Sequence, residues 1–427
     1  MRSACSLRLA SALALALAVG CAPAALEQGA IDPIPSPVAF VPAAPLPQPT
    51  PTATPVPLPT ATPLPPTPVP KALPVETTKA IGLWSDRLSD AESWQGFLDL
   101  AVGKAALEYQ QRRNPLLVTL AQAQVYAGAP ELRESKPDWL LYDRNKRPAL
   151  ASADNASPLL DIRKEEVRAY LAEQVASALA EGPFQGVILS NVGEDLIRTN
   201  ATPVFTGTRG FTEDQRRDAV EGLLRAIRAK TPDRLLIIGG YAWRDGTAYA
   251  ASPSAAQQLA TFADGVHIEA FLRSPISKTN EFKPEAAWKR DVDYLSAISQ
   301  DDKVVLVTTR LPAGTPTDLA QQWLRYSVAS YLLGKNGAHT YFQFDAGDPV
   351  LSNDPYLSAP IGSPAGAYVK LDSGVYLRRF SNGVAMVNPT GEQKRAALDG
   401  SYKTLQGNTV DVAVTLGPRT GIVLLKP

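Results

Sequence analysis

Asp264-Gly265-Val266-His267-Ile268-Glu269-Ala270-Phe271 decides how this chain folds. Its aliphatic centre is short and nearly continuous, as in a strand covered on both faces. Successive side chains of a strand point to opposite faces. Turning Val266 and Ile268 toward a helical layer sends His267 and Glu269 to the other side. That choice buries the apolar pair and gathers the polar pair.

Seven further runs of the same kind flank it. They are Ile81-Gly82-Leu83-Trp84, Leu116-Leu117-Val118-Thr119-Leu120, Trp139-Leu140-Leu141-Tyr142, Gly186-Val187-Ile188-Leu189, Leu235-Leu236-Ile237-Ile238, Val304-Val305-Leu306-Val307 and Thr340-Tyr341-Phe342-Gln343-Phe344. Amphipathic stretches separate most of them. Glu166 to Ala180 puts Val167, Leu171, Val175 and Leu179 on one helical face. Thr212-Glu213-Asp214-Gln215 is a capping box opening another helix. Val292, Leu295 and Ile298 mark a third, and Leu319, Trp323 and Tyr326 a fourth. Eight strands with helical connections predict a (β/α)8 TIM barrel over residues 79–366. The competitor is an open doubly wound sheet, but no glycine-rich nucleotide fingerprint follows any strand.

From residue 367 the pattern changes. Gly374-Val375-Tyr376-Leu377 and Val384-Ala385-Met386-Val387 flank Ser381-Asn382-Gly383, and Asn-Gly is a strong hairpin signal. Short strands with turn residues between them continue to Pro427. Residues 367–427 therefore read as a small C-terminal antiparallel β-sandwich.

The N-terminus reads differently again. Arg2 and Arg8 precede an apolar run from Leu9 to Val19, then Gly20-Cys21, the pattern of a signal peptide over residues 1–20. The run is shorter than the ~20 apolar residues that span a bilayer. A cysteine directly after the cut resembles the bacterial lipoprotein box, which implies lipid attachment at Cys21, a membrane anchor and an extracytoplasmic location. Residues 21–78 follow as a Pro/Thr-rich tether, for example Pro49-Thr50-Pro51-Thr52-Ala53-Thr54-Pro55. Proline fixes φ and removes donors, so this segment favours extended polyproline II, reaching ~100 Å at ~3.1 Å per residue.

Composition narrows the function. Lys+Arg and Asp+Glu are equal at 42 each, and no basic stripe argues for nucleic acid. The two cysteines, Cys5 and Cys21, lie in the leader and at its end, so the globular part has no disulfide. With two histidines, His267 and His339, a His- or Cys-ligated zinc site is excluded, and no cofactor motif is present. Gly362-Ser363-Pro364-Ala365-Gly366 is not a serine hydrolase elbow.

Chemistry in such a barrel sits at the C-terminal ends of the strands. Glu269 is the leading candidate, because a carboxyl group there can protonate a glycosidic oxygen or attack an anomeric carbon. Such cleavage needs a second carboxyl, for which Asp345, Glu194, Asp195 and Asp143 compete. The plainer reading makes Glu269 a salt-bridged mouth residue, paired with Arg273 or Arg310. Trp84, Tyr241, Trp243 and Phe271 are placed to stack on sugar rings. Ser190, Asn191 and Gln343 would line the groove, and His267 would orient Glu269.

These residues resemble the hypothetical glycosyl hydrolase families of bacteria, TIM-barrel glycosidases distantly similar to endo-alpha-1,4-polygalactosaminidases and often followed by a β-sandwich. The likeness is carried by Lys136-Pro137-Asp138-Trp139-Leu140-Leu141-Tyr142-Asp143, by Leu160-Asp161-Ile162-Arg163 and by Asp264 to Phe271. Gly374 to Gly383 and Val387-Asn388-Pro389 extend it. The resemblance implies a catalytic role for Glu269. Those families carry an aspartate at the mouth of strand four, where this chain has Ser190 in Gln185-Gly186-Val187-Ile188-Leu189-Ser190. Two functions follow as expectations. One is a surface-tethered glycoside hydrolase acting on an extracellular or cell-wall polysaccharide. The other is a catalytically inactive carbohydrate-binding lipoprotein on the same fold.

Overall fold

The computed structural model describes residues 80–88, 98–112, 114–142, 145–152, 155–190, 192, 213–239, 260–274, 277–300, 303–347 and 353–427. All belong to one compact unit, Leu64–Pro427.

Eight strands close into a barrel. They are β1 (Gly82–Ser85), β2 (Leu100–Val102), β3 (Val118–Gln124), β4 (Gly186–Ser190), β5 (Leu235–Ile238), β6 (Gly265–Ile268), β7 (Val304–Arg310) and β8 (Thr340–Asp345). They pair in sequence order, and β1 returns to β8 through Gly82–Tyr341 and Leu83–Phe342. All eight pairings are parallel. The expected (β/α)8 barrel is present.

Two layers of core explain the continuous apolar runs. Trp84, Leu100, Val118, Leu120, Ile188, Ile237, Leu306 and Tyr341 fill the barrel interior. Val187, Leu189, Val266, Ile268, Val305, Val307, Phe342 and Phe344 face outward into the core shared with the helices. The alternation inferred for β6 and β8 holds at each of these positions. Close strand approach demands glycine at the start of β6: a Cβ on Gly265 would lie 2.3 Å from the Val304 carbonyl oxygen.

The outer layer includes α1 (Lys104–Arg112), α2 (Glu165–Ala180), α3 (Glu213–Lys230), α4 (Glu285–Ile298) and α5 (Thr317–Gly334). Helix α2 buries Val167, Leu171, Ala172, Val175 and Leu179, spaced as an amphipathic face requires. Glu165 and Glu166 in its first turn suit the positive end of the helix dipole.

One part of the sequence expectation is corrected. Trp139-Leu140-Leu141-Tyr142 is not the third barrel strand. Pro137–Trp139 forms a 3-10 turn, and Leu140 and Tyr142 make isolated bridges to Leu160 and Pro148 outside the barrel. Trp139 packs on Tyr170 of α2, with ring centroids 5.5 Å apart. The missing strand is β2, three residues long, and the Leu116–Leu120 run supplies β3 rather than β2. Leu116 itself is 66% exposed.

The C-terminal part holds β9 (Val369–Lys370), β10 (Tyr376–Phe380), β11 (Gly383–Asn388), β12 (Lys394–Ala397), β13 (Tyr402–Thr404), β14 (Thr409–Val410), β15 (Ala413–Leu416) and β16 (Thr420–Leu425). Six form an antiparallel sheet in the order β9-β10-β11-β16-β13-β14, and β12 pairs with β15. Val375, Leu377, Val384, Met386, Ala396, Val414, Leu416 and Leu424 form the core they share. The β10–β11 hairpin turns at Ser381-Asn382. Arg378 joins this part to the barrel. It is 4% exposed and donates to the carbonyls of Leu332, Leu333 and Lys335 at the end of α5, and to Gly366 O and Asn336 Oδ1. A helix end leaves carbonyls without intrahelical donors, and this guanidinium satisfies several of them.

Candidate functional site

At the C-terminal ends of β1, β6, β7 and β8, polar side chains replace the apolar filling of the barrel. Strand pairing brings them to one level. Thr308 stands opposite Gln343, and Arg310 opposite Asp345. Ile268 stands opposite Val307, so Glu269 follows at the level of Thr308.

The bonds run in one direction. Arg310 Nη2 donates to both Asp86 oxygens, at 2.8 and 2.7 Å, and its Nε donates to Asp345 Oδ2 at 2.8 Å. Gln343 Nε2 donates to Asp86 Oδ1 at 2.9 Å. Gln343 Oε1 accepts from Thr308 Oγ1 at 3.3 Å. Thr308 Oγ1 lies 2.9 Å from His267 Nε2. Because the threonine proton points to Gln343, Nε2 carries the imidazole proton and donates to Thr308. That leaves a lone pair on Nδ1, which faces Glu269 Oε1 at 3.6 Å.

The electrostatics keep the ring uncharged. Burial pushes His267 down to about 3, against the pull of Asp86, so the ring is neutral near pH 7. Trp84 packs edge-on against it, centroids 4.7 Å apart, and donates from Nε1 to Val307 O. Burial opposes charge on Asp86, but the charge of Arg310 and the bonds from Arg310 and Gln343 outweigh it. Its carboxyl is held below the usual range and is ionised.

Glu269 is held against Gly239. A Cβ on Gly239 would sit 2.7 Å from Glu269 Oε1 and 3.2 Å from Leu189 O. Glycine is needed here for the close approach of β5 to this carboxylate. The Glu269 side chain is 32% exposed, open enough to meet a ligand.

The sequence candidates are placed as follows. Glu269, His267, Gln343 and Asp345 come together at the mouth. Arg310 bonds Asp86 and Asp345, and Arg273 donates to the carbonyls of Arg310 and Ser277, so neither fills the role of expected ion partner to Glu269. Trp84 is fully buried inside the barrel, and Phe271 is fully buried in the outer core. Neither ring can stack on a sugar, because neither has a free face. Ser190 is half-buried and its Oγ accepts from Gln122 Nε2 at 3.1 Å. Asp143, Asn191, Glu194, Asp195, Tyr241 and Trp243 lie outside the described residues, as does Cys21. The premise that put Asp143 at a barrel strand end falls with the correction at Tyr142. Asp86 is the residue missed as a candidate, and Arg310, expected beside Glu269, instead bridges Asp86 and Asp345. Both share the inward parity of a recognised strand, Asp86 with Trp84 and Arg310 with Leu306. Among the described residues, no cluster of His, Cys, Asp and Glu is arranged to hold a metal ion.

The sequence profile of Hypothetical glycosyl hydrolase family 15 matches residues 109–384, well over half of the chain. The chain belongs to this family. The match runs from α1 to the β10–β11 hairpin, so Glu269, Thr308, Arg310 and Gln343 lie within the family region and Asp86 lies before it. No curated protein matches the chain. Among solved structures, the glycoside hydrolase domain of PelA from Pseudomonas aeruginosa is 14% identical, covering 62% of this chain and 93% of that one, with a TM-score of 0.40. An Anoxybacillus alpha-amylase is 13% identical over 76% of this chain and 78% of its own, TM-score 0.47. Eubacterium rectale Amy13B is 11% identical over 81% and 94%, TM-score 0.47. At such values none bears on the chemistry of this chain.

Proposed function

We propose that this family member is a surface-tethered glycoside hydrolase, acting on an extracellular or cell-wall polysaccharide with Glu269 as its proton-transferring carboxyl. The observation that carries the reading is the lone pair of neutral His267 Nδ1 facing Glu269 Oε1 at 3.6 Å. The contact is longer than a hydrogen bond, but the imidazole is uncharged and so supplies no cation to hold Glu269 ionised. A general acid must hold its proton until the glycosidic oxygen arrives. His267 is thus a positioning residue, and Thr308, Gln343 and Asp86 fix its tautomer. Asp86 and Asp345 are the described mouth carboxylates beside it, both bonded to Arg310. The lipoprotein signature at Cys21 and the proline-rich segment behind it support tethering outside the cytoplasm.

A second reading has its own support. Ser190 stands where a strand-four carboxylate is expected, and both mouth aspartates are engaged by Arg310. A barrel so arranged would bind carbohydrate without cleaving it. Incubating the protein with a panel of polysaccharides and measuring reducing-end release separates the two. Release by the wild type that vanishes in Glu269→Gln supports hydrolysis through this carboxyl. Saturable binding without release supports the silent reading.

A further inference from the structure

The end of β6 breaks its own pattern. Val304 N donates to Asp264 O, and the β6–β7 register runs from Gly265–Val304 to Ile268–Val307. In a parallel pair the bonds recur evenly, at every second residue, so Ala270 N should be the next donor to Thr308 O. Phe271 N takes that place, at 3.1 Å. The pleat slips with the bonds. Regular alternation would turn Phe271 to the side of His267 and Glu269. Its ring is instead fully buried in the outer core. Both observations place one extra residue at Glu269-Ala270, a β-bulge. Bulges re-aim side chains and are over-represented beside active sites.

Directly beyond the bulge the backbone is strained. Leu272 has φ 63°, in the left-handed region that a bulky residue keeps only where its surroundings over-determine it. Among the described non-glycine residues with positive φ, which are Lys146, Leu272, Val412 and Arg419, it is the one buried in the core. Its N–H donates to Asp291 Oδ2 of α4 at 2.9 Å. Asp291 is itself buried, and Lys283 Nζ donates to the same oxygen at 2.7 Å. From the other side β7 holds the segment. Thr309 Oγ1 donates to Phe271 O at 3.1 Å, and Arg273 Nη1 donates to Arg310 O at 2.8 Å.

We propose that Asp291 is a positioning residue for Glu269. It latches the Leu272 turn, the turn holds the bulge, and the bulge aims the carboxyl past Gly239 toward the face of His267. Asp291 acts through the Ala270–Leu272 backbone, from the helical layer, and not by touching substrate. The inference rests on the reading of Glu269 as the reacting carboxyl, and it adds the device that sets its aim.

His267 Nδ1 faces Glu269 Oε1, and the chain has one other histidine, His339. Imidazole nitrogen NMR signals of the isotope-labelled full chain therefore report where the carboxyl stands, with His267→Gln assigning them. Asp291→Ala is made together with Lys283→Met, so that no cation is stranded. The double variant should move the His267 Nδ1 signal and leave those of His339 in place. Asp291→Asn keeps an oxygen for the Leu272 N–H and should keep the wild-type signal. On any polysaccharide the wild type degrades, the double variant should lose roughly tenfold or more in kcat with KM little changed. A folded double variant whose His267 signal matches wild type overturns the proposal. Should that variant not fold, amide hydrogen exchange of the wild type decides. The Leu272 amide should exchange as slowly as those of β6 and β7, and exchange at the rate of an exposed loop overturns the latch. Neither spectroscopic readout needs cleavage, so undiminished activity in Glu269→Gln would sink the catalytic reading while leaving the latch to stand or fall on its own signals.

Discussion

Replacing Arg310 by Gln tests the mouth most severely. The guanidinium makes three short charged bonds, two to Asp86 and one to Asp345, whose side chains are 19% and 17% exposed. Breaking a fully buried pair costs about 3–5 kcal/mol, because a charge is left without compensation. Water reaches the mouth, so about 2–4 kcal/mol is expected here. The pH dependence is the sharper part. In the wild type the folded-state Asp86 carboxyl lies below its usual value of 3.8. The stabilisation it provides is therefore present above that value and lost as pH falls through the folded value. Without Arg310, burial dominates and raises the carboxyl, so the folded variant takes up a proton earlier than the unfolded chain. The gap between wild type and variant must then be widest near pH 7 and shrink toward pH 4. Urea unfolding followed by tryptophan fluorescence at pH 7, 5 and 4 measures it. A gap below about 1 kcal/mol at pH 7, or one that does not change with pH, refutes the argument.

His267→Gln keeps a donor for Thr308 but removes a group whose folded value is depressed to about 3. The unfolded chain binds that proton below pH 6.5 and the folded one does not, so wild-type stability should drop by about 2 kcal/mol between pH 7 and 5 on this account, and the variant should lack that part of the drop in urea midpoint. Gly239→Ala forces a methyl to 2.7 Å from Glu269 Oε1 and should lower turnover on any cleaved polysaccharide by roughly tenfold or more, with a melting temperature within a few degrees of wild type. Arg378→Met strands the carbonyls at the end of α5 and should cost about 3–5 kcal/mol, read as a clear fall in melting temperature at pH 7.

How far the sequence reaches is clearest on β6 and β8. Period-two alternation alone turns His267, Glu269, Gln343 and Asp345 inward and Val266, Ile268, Phe342 and Phe344 outward, because strands buried on both faces still obey the pleat. The failure at β2 has an equally physical cause. Leu100–Val102 is three residues long and too short to show a period, while Trp139–Tyr142 is apolar for another reason, namely packing of the outer loop on α2. Aromatic residues misled in the same way. Trp84 and Phe271 stand at strand ends, but the taper of the barrel and the helical layer consume both rings. Asp86 follows β1 and Arg310 ends β7, in step with the inward residues Trp84 and Leu306. What the sequence does not announce is their partnership, since 224 positions separate them and only barrel closure brings them within a hydrogen bond.

The account stands most directly on the ratio of kcat/KM between wild type and Glu269→Gln, measured on whichever polysaccharide the wild type degrades. Loss of a positioned general acid predicts a fall of roughly 10²–10⁴-fold in a variant that melts like the parent. A ratio near one in an equally stable variant contradicts the assignment of proton transfer to the end of β6.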